Sequence, residues 1–153
     1  MNHFQDNTNE LNPIVQCLLE NGFDGAVEIF RMISNLAMKF ERENVLNIQP
    51  HERTESRKGY ANGFKNKTIK TRLGKMDLDV PQVRGDVDFY PSFLEKGLRC
   101  EKAINLAMAQ MYVEGVSTRK VTNVLEKMCG LEVSKSQVSR ACELLDFELK
   151  KWH

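Results

Sequence analysis

In the first fifty residues, apolar and polar positions alternate with the period of an α-helix. One apolar face recurs every three or four residues and comprises Ile29, Ile33, Leu36, Ala37 and Phe40. This spacing places the side chains on one side of a helix. Asn12 before Pro13 is typical of the start of a shorter, earlier helix. Asp24 is a candidate N-cap for the longer helix. The pattern therefore predicts an N-terminal helix pair.

Further along the chain the period shortens to two, as in a β-strand. The alternating apolar side of this stretch comprises Ile69, Thr71, Leu73, Met76, Leu78 and Val80. Alternation interrupted at a glycine predicts a β-hairpin with strands at about 65–73 and 75–81. Residues 51–63 are predicted as a loop, with a turn at Asn62-Gly63.

The polar side of the predicted hairpin carries opposite charges on its two strands. Lys70 and Arg72 lie on the first strand, and Asp77 and Asp79 lie on the second. We expect these side chains to pair across the strands. A catalytic carboxylate pair is the weaker alternative, because exposed aspartates are common on strand faces.

Three more helices are predicted after Glu101. The first ends at Gly115, and the second begins after the N-cap Ser117 and ends at Gly130. Ser134-Lys135-Ser136-Gln137 matches a capping box at the start of the third. Core positions on these helices include three methionines, Met108, Met111 and Met128.

The predicted fold is mainly α with a small β-hairpin. We expect an N-terminal helical segment at 1–50 and a basic loop and hairpin region at 51–100. Residues 101–153 are expected to form a three-helix, helix-turn-helix-like unit, since a short turn joins the last two helices.

The net charge of the whole chain conceals a local concentration of basic side chains. The 153 residues have a net charge of +1, but residues 52–75 hold eight basic and two acidic side chains. A cation cluster this dense favours a polyanion through counterion release. The alternative is a solvated loop whose lysines and arginines serve solubility.

Several classes of protein are disfavoured by composition. No apolar run approaches the length of a membrane span, and the N-terminus lacks the pattern of a secretory signal. The four cysteines are too sparse for a disulfide framework and fit reduced thiols in a cytoplasmic protein. No metal site and no nucleotide-binding or protease motif is apparent.

The predicted unit at 101–153 supplies candidate DNA contacts, because the second helix of a helix-turn-helix enters the major groove by its first turns. Candidates there are Lys135, Ser136, Gln137, Ser139 and Arg140. Gln137 suits adenine, although its capping role competes. Candidates for phosphate contact are Arg119 and Lys120 on the preceding helix, and Arg57, Lys58, Lys65, Lys67, Lys70 and Arg72 in the basic stretch. Helices with polar N-termini are common, so each part alone is weak.

Several short motifs occur together in a fixed order. They are Arg57-Lys58-Gly59-Tyr60-Ala61-Asn62-Gly63-Phe64, Lys70-Thr71-Arg72-Leu73-Gly74-Lys75, Leu78-Asp79-Val80-Pro81, Phe89-Tyr90-Pro91, and Met111 to Val121. Cys129-Gly130, Val133-Ser134, Val138-Ser139-Arg140 and Leu145-Asp146 follow in order. From about residue 40 onwards the chain resembles the N-terminal part of mutator-family bacterial insertion-sequence transposases. Gln82 stands where that family more usually has arginine.

The resemblance implies DNA recombination: binding of double-stranded DNA at terminal inverted repeats and transposition of an insertion element. It also implies that catalysis belongs to a later core with a DDE carboxylate triad and a divalent metal such as Mg²⁺. We expect this chain to end before that core, as a fragment with no catalytic residue, metal or cofactor of its own. A bacterial cytoplasmic, nucleoid-associated location and homo-oligomers are further expectations.

Three alternatives remain open. A stand-alone helix-turn-helix transcription regulator would need a dimerisation or effector module, for which only the N-terminal helices are available. An active transposase working alone would cleave DNA with metal. An interaction module would use the apolar helix face that reaches Trp152.

Overall fold

The computed structural model describes residues 3–47, 55, 57–97 and 99–150. Within them it has five α-helices and one two-stranded antiparallel hairpin, so the fold is mainly α with a small β-hairpin, as predicted. The chain divides into two compact units. The first unit comprises residues 1–68 and 76–97, and the second comprises 69–75 and 98–153.

The first unit opens with two long helices. Helix α1 spans His3–Asn21, a 3₁₀ turn spans Gly22–Gly25, and helix α2 spans Ala26–Leu46. The prediction that α1 starts at Asn12 was wrong. The residues before Pro13 are also helical, so Pro13 lies inside the helix rather than at its start.

The caps of α2 also differ from the prediction. Asp24 lies in the 3₁₀ turn, and Gly25 is the N-cap, without a side-chain hydrogen bond. At the other end Asn47 adopts a left-handed conformation with a φ of 51°, and its backbone N–H donates to the carbonyls of Glu43 and Asn44. This C-cap satisfies carbonyl groups that the helix itself leaves unpaired.

The hairpin is longer than predicted. Strand β1 spans Gly59–Thr71 and strand β2 spans Gly74–Gly85. Pro81 does not end β2, because both strands of a two-stranded sheet are edge strands and an edge tolerates proline. Asn62-Gly63 lies within β1, and Gly63 has a φ of 71° there. Of the predicted loop, residues 51–54 and 56 lie outside the described residues.

The alternation predicted for the second strand is confirmed. Met76, Leu78 and Val80 are buried, while Asp77 and Asp79 between them are exposed. All five of these residues belong to the first unit, and their apolar side chains contribute to its core.

The second unit is built on three helices. Helix α3 spans Lys102–Val113, α4 spans Thr118–Cys129 and α5 spans Lys135–Lys150. Their shared core consists of eight buried residues, Ile104, Met108, Val121, Leu125, Leu131, Val133, Val138 and Ala141. Three helices in this order, with a short turn before the last, form the predicted helix-turn-helix-like unit.

One predicted core position in this unit was wrong. Met108 is buried and Met111 packs against the core, but Met128 is 77% exposed. It shares a face with Val121 and Leu125 by helical spacing, but in this last turn of α4 it is Cys129 that packs against the core. The predicted apolar face that reaches Trp152 ends outside the described residues.

Candidate nucleic-acid interface

The turn between α4 and α5 is closed by local hydrogen bonds at both ends. Gly130 ends α4 in a left-handed conformation with a φ of 64°. At the start of α5 the backbone N–H of Ser134 donates to Gln137 Oε1 at 3.0 Å, and the N–H of Gln137 donates to Ser134 Oγ at 3.3 Å. This confirms the predicted capping box. The first turn of α5 is therefore held in a defined geometry.

The tip of the hairpin is bound to the segment that leads into α3. The backbone N–H of Lys70 donates to the carbonyl of Arg99 at 2.8 Å, and the N–H of Glu101 donates to the carbonyl of Lys70 at 2.7 Å. These two bonds form a parallel β-bridge between Lys70 and Cys100. The tip, residues 69–75, is thus an integral part of the second unit.

The side chain of Lys70 reaches the capping box itself. Lys70 Nζ donates to Gln137 Oε1 at 3.2 Å and also to the carbonyl oxygen of Glu132. Gln137 Oε1 therefore accepts two hydrogen bonds, one from Ser134 and one from Lys70. This oxygen is occupied by contacts within the protein.

Arg72 is paired with Glu101 rather than with a strand aspartate. Its Nε donates to Glu101 Oε1 and its backbone N–H to Glu101 Oε2, both at 2.9 Å. The hydrogen bond from Arg72 lowers the pKa of the Glu101 carboxyl below its ordinary value and raises that of Arg72. The side chain of Arg72 remains 65% exposed.

The expected pairing of Lys70 and Arg72 with Asp77 and Asp79 was wrong. Asp77 accepts a hydrogen bond from the Thr68 hydroxyl, and the backbone N–H of Asp79 donates to Asn35 Oδ1 at 3.1 Å. The pairing failed because contacts distant in sequence, made by Glu101 and Gln137, engage the two basic side chains.

An open groove of about 750 Å³ lies in the second unit, between α4 and the start of α5. It is lined by Lys70, Thr122, Glu126, Leu131, Glu132, Val133, Ser134, Ser136, Gln137 and Arg140. Basic and acidic side chains are both present, so the groove offers hydrogen-bond donors and acceptors side by side. Such a mixed lining suits ligand edges that carry both kinds of group.

Four of the candidate site residues line this groove: Lys70, Ser136, Gln137 and Arg140. Exposed outside its lining are Lys135 and Ser139 on α5, and Arg119 and Lys120 in the first turn of α4. The Ser139 hydroxyl donates to the carbonyl of Lys135 at 3.2 Å. Ser136 Oγ lies 2.9 Å from Ser134 Oγ.

Thr122 and Glu126 were missed as groove residues. They are four residues apart on α4 and therefore share a face. That spacing is visible in the sequence. Which polar face of α4 meets α5 is decided by tertiary packing.

The other four candidates, Arg57, Lys58, Lys65 and Lys67, belong to the first unit. Lys67 Nζ donates to the Tyr90 hydroxyl at 2.9 Å and to the carbonyl of Glu95 at 3.1 Å. Lys58 and Lys65 are exposed. The guanidinium of Arg57 lies over the ring of Tyr60, 4.3 Å from its centre. These cations do not share the groove lining.

Sequence reasoning also missed two cations of the first unit. Arg42 and Lys39 on α2 lie over the ring of Phe64, at 5.1 and 6.0 Å from its centre. The two helix residues precede Phe64 by more than twenty positions, so no local pattern connects them.

Neither a metal-binding cluster nor a membrane-crossing helix is found in the part of the chain that the structure describes. There, no three His, Cys, Asp or Glu side chains cluster in a way that could hold a metal ion. No helix among the same residues combines the length and apolar character needed to cross a bilayer.

The fold and the groove define a mainly α protein with a helix-turn-helix-like unit and a basic hairpin. Residues 3–153 match the family described as Transposase, Mutator family. The chain belongs to that family, as its motifs indicated. Membership does not favour the stand-alone transcription regulator.

Known relatives are transposases of bacterial insertion sequences. The chain is 54% identical, over 95% of its length, to the transposase for insertion sequence element IS406 of Burkholderia multivorans. It is 36% identical, over 98% of its length, to the transposase for IS256 in transposon Tn4001 of Staphylococcus aureus. A further relative, for element ISRM5 of Rhizobium meliloti, is 38% identical over 89% of this chain and 34% of its own length. The chain spans 38% of the length of the first two, which fits an N-terminal fragment.

Proposed function

We propose that this chain is the DNA-binding N-terminal part of an insertion-sequence transposase and that it recognises the terminal inverted repeats of its element. The observation that carries the proposal is the groove beside the capped start of α5, where Arg140 and Ser136 face the same opening as Thr122 of α4. The relatives named as transposases of insertion sequences support DNA as the partner.

In this proposal the first two turns of α5 enter the major groove of the duplex. Arg140 contacts a base edge, for which a guanine offers two acceptors to an arginine fork. Glu126 and Glu132, which also line the groove of the protein between α4 and α5, repel phosphate oxygens. Phosphates therefore bind outside the groove, near Lys135 and near Arg119 and Lys120 at the positive end of α4.

Gln137 has a positioning role in this proposal. Pairing with adenine requires both the oxygen and the nitrogen of the side-chain amide. The oxygen already accepts from Ser134 and Lys70. Gln137 thus fixes the start of α5 while its neighbours contact the bases.

The remaining basic candidates add affinity without sequence preference. Lys58 and Lys65 are exposed on the first unit and contact phosphates, together with Arg57 and Lys67. The proposal also includes homo-oligomers and association with the nucleoid. In this proposal, metal-dependent strand transfer is carried out by a part of the transposase that is not included in these 153 residues.

The test is binding of the purified chain to a duplex from the element's own ends, compared with a random duplex, over a range of salt. Arg140→Ala and Lys135→Ala are the variants, and Lys150→Ala in the last turn of α5 is the matched control. If Arg140 reads a base, its loss costs about 1–3 kcal/mol for the end duplex and relaxes specificity. An affinity that does not fall with salt, or unchanged discrimination in Arg140→Ala, would contradict the proposal.

A further inference from the structure

Strand β1 displays an unusual run of exposed side chains in the first unit. Residues 60–66 are all exposed, on both sides of the strand. Two of them are aromatic: Tyr60 is 57% exposed and Phe64 is 50% exposed. Exposed large apolar groups that lie close together mark interaction sites more often than single ones do.

Each of the two rings carries a cation on its face. Arg57 lies over Tyr60, and Arg42 and Lys39 from α2 lie over Phe64. The rings remain half exposed despite these contacts, so part of each ring stays accessible. Lys65 is exposed immediately after Phe64. We call these six residues, Lys39, Arg42, Arg57, Tyr60, Phe64 and Lys65, the aromatic-cation surface.

We propose that the aromatic-cation surface binds unpaired DNA. Aromatic rings beside basic side chains bind single strands because bases stack on the rings while the cations follow the phosphates. Ring and guanidinium planes both stack on bases, so an arginine already lying on a ring extends the platform. The exposed side chains of Asn62 and Asn66 on the same stretch add hydrogen-bond donors and acceptors.

Unpaired DNA fits this surface better than a duplex or an acidic peptide. In a duplex each base is covered by its neighbours above and below, so rings on a strand find no base face. An acidic peptide would use the cations and leave the rings without a partner. Only an unpaired strand uses the rings and the cations together.

The surface belongs to the first unit, whereas the groove of the proposed function belongs to the second. Arg57 and Lys65 occur in both proposals, but Arg140 occurs only in the first and the two rings only in the second, so each proposal can fail alone. Arg140→Ala is expected to weaken duplex binding and leave single-strand binding unchanged. Substitutions of Tyr60 and Phe64 are expected to do the reverse.

The experiment measures fluorescence anisotropy of a labelled twenty-nucleotide thymidine strand with the full chain. Tyr60→Leu and Phe64→Leu keep apolar bulk but remove the ring. Tyr112→Leu and Phe23→Leu are matched controls, because these rings are 50% and 96% exposed and lie outside the surface. We expect about a tenfold loss of affinity for each surface variant and less than a twofold change for the controls. Phe64→Trp and Tyr60→Phe keep a ring and are expected to retain binding.

A second variant covers the case in which removal of a ring unfolds the first unit. Arg42→Gln removes a cation and is expected to reduce the slope of log affinity against log salt by about 0.7 for a single strand. Duplex binding, measured on every variant, reports whether the second unit stays intact.

Three results would overturn the proposal. The first is a Leu variant that binds the thymidine strand as well as its control does. The second is a duplex of the same length that binds as tightly as the single strand and loses equally in Phe64→Leu. The third is displacement of the thymidine strand by polyglutamate at equal charge concentration.

Discussion

The two units differ in how much of each helix is buried. In the second unit, the twelve-residue helices α3 and α4 contribute four buried residues, Ile104, Met108, Val121 and Leu125, to one shared core of eight residues. In the first unit, α2 is 21 residues long yet buries only Ser34, Met38 and Leu46. Among the described side chains, Ile14 of α1 is also buried, but several large apolar ones on both helices are exposed, with Leu19 at 80% and Phe40 at 64%.

In this chain, the long helix α2 does not bury a larger share of its residues than the short helices α3 and α4. The short helices are stabilised mainly by tertiary packing, which supplies most helical stability in proteins, and α4 also has the side-chain cap of Ser117. The long helices rely more on their own backbone bonds and on local pairs such as Arg31 with Glu28. We expect the free energy of unfolding to be more sensitive to substitution in the second unit.

The largest expected effect tests the core of the second unit. Leu125 is 3% exposed, so Leu125→Ala is expected to lower the free energy of unfolding by about 2–5 kcal/mol. Leu19→Ala in the first unit removes the same atoms from an 80% exposed position. It is expected to change the free energy of unfolding by about 0.5 kcal/mol or less. Urea unfolding followed by circular dichroism measures both. Similar losses in the two variants would break the comparison.

A smaller effect tests the capping box. Gln137→Ala is expected to cost about 1 kcal/mol, because Ser134 and Lys70 lose the acceptor they share. Gln137→Glu is expected to retain stability, since glutamate closes the same box. Gln16→Ala is the control in the first unit, where Gln16 Nε2 donates to Glu20 Oε1 on an exposed helix face. That pair is worth only about 0.2–0.5 kcal/mol. A Gln137→Ala loss no larger than the control's would mean that the box adds nothing.

The smallest effect concerns pH. Arginine partners lower the pKa of Glu101 in the second unit and of Glu28 in the first. A carboxyl with a lowered pKa in the folded state stabilises that state above the ordinary value, and this contribution is lost as the pH falls through the lowered value. Glu101→Gln and Glu28→Gln are therefore expected to flatten the loss of stability below about pH 4.3. Thermal unfolding at pH 7 and pH 3 measures this, and unchanged pH dependence in both variants would contradict it.

The features that the sequence predicted best are local ones. Ser117, Gly130 and the pair Ser134 and Gln137 form caps whose partners lie within a few residues, so spacing alone identifies them. The alternation in β2 is local in the same sense. The existence of five helices and a hairpin follows from such signals.

The features that escaped prediction depend on contacts between distant residues. The bond from Lys70 to Gln137 spans 67 positions, and that from Arg72 to Glu101 spans 29. The approach of Arg42 to Phe64 is also nonlocal. A pattern of residue types shows that such side chains are basic, aromatic or acidic, but tertiary packing decides which of them meet.

The hairpin tip has a consequence for how the second unit could be exchanged between relatives. The second unit is assembled from two separate stretches of chain, 69–75 and 98–153. A transplant of the three helices alone would leave behind Lys70, the donor that holds Gln137 and the turn before α5. Exchanging the proposed DNA-binding unit between family members would therefore require moving the tip and the helices together, as one discontinuous cassette.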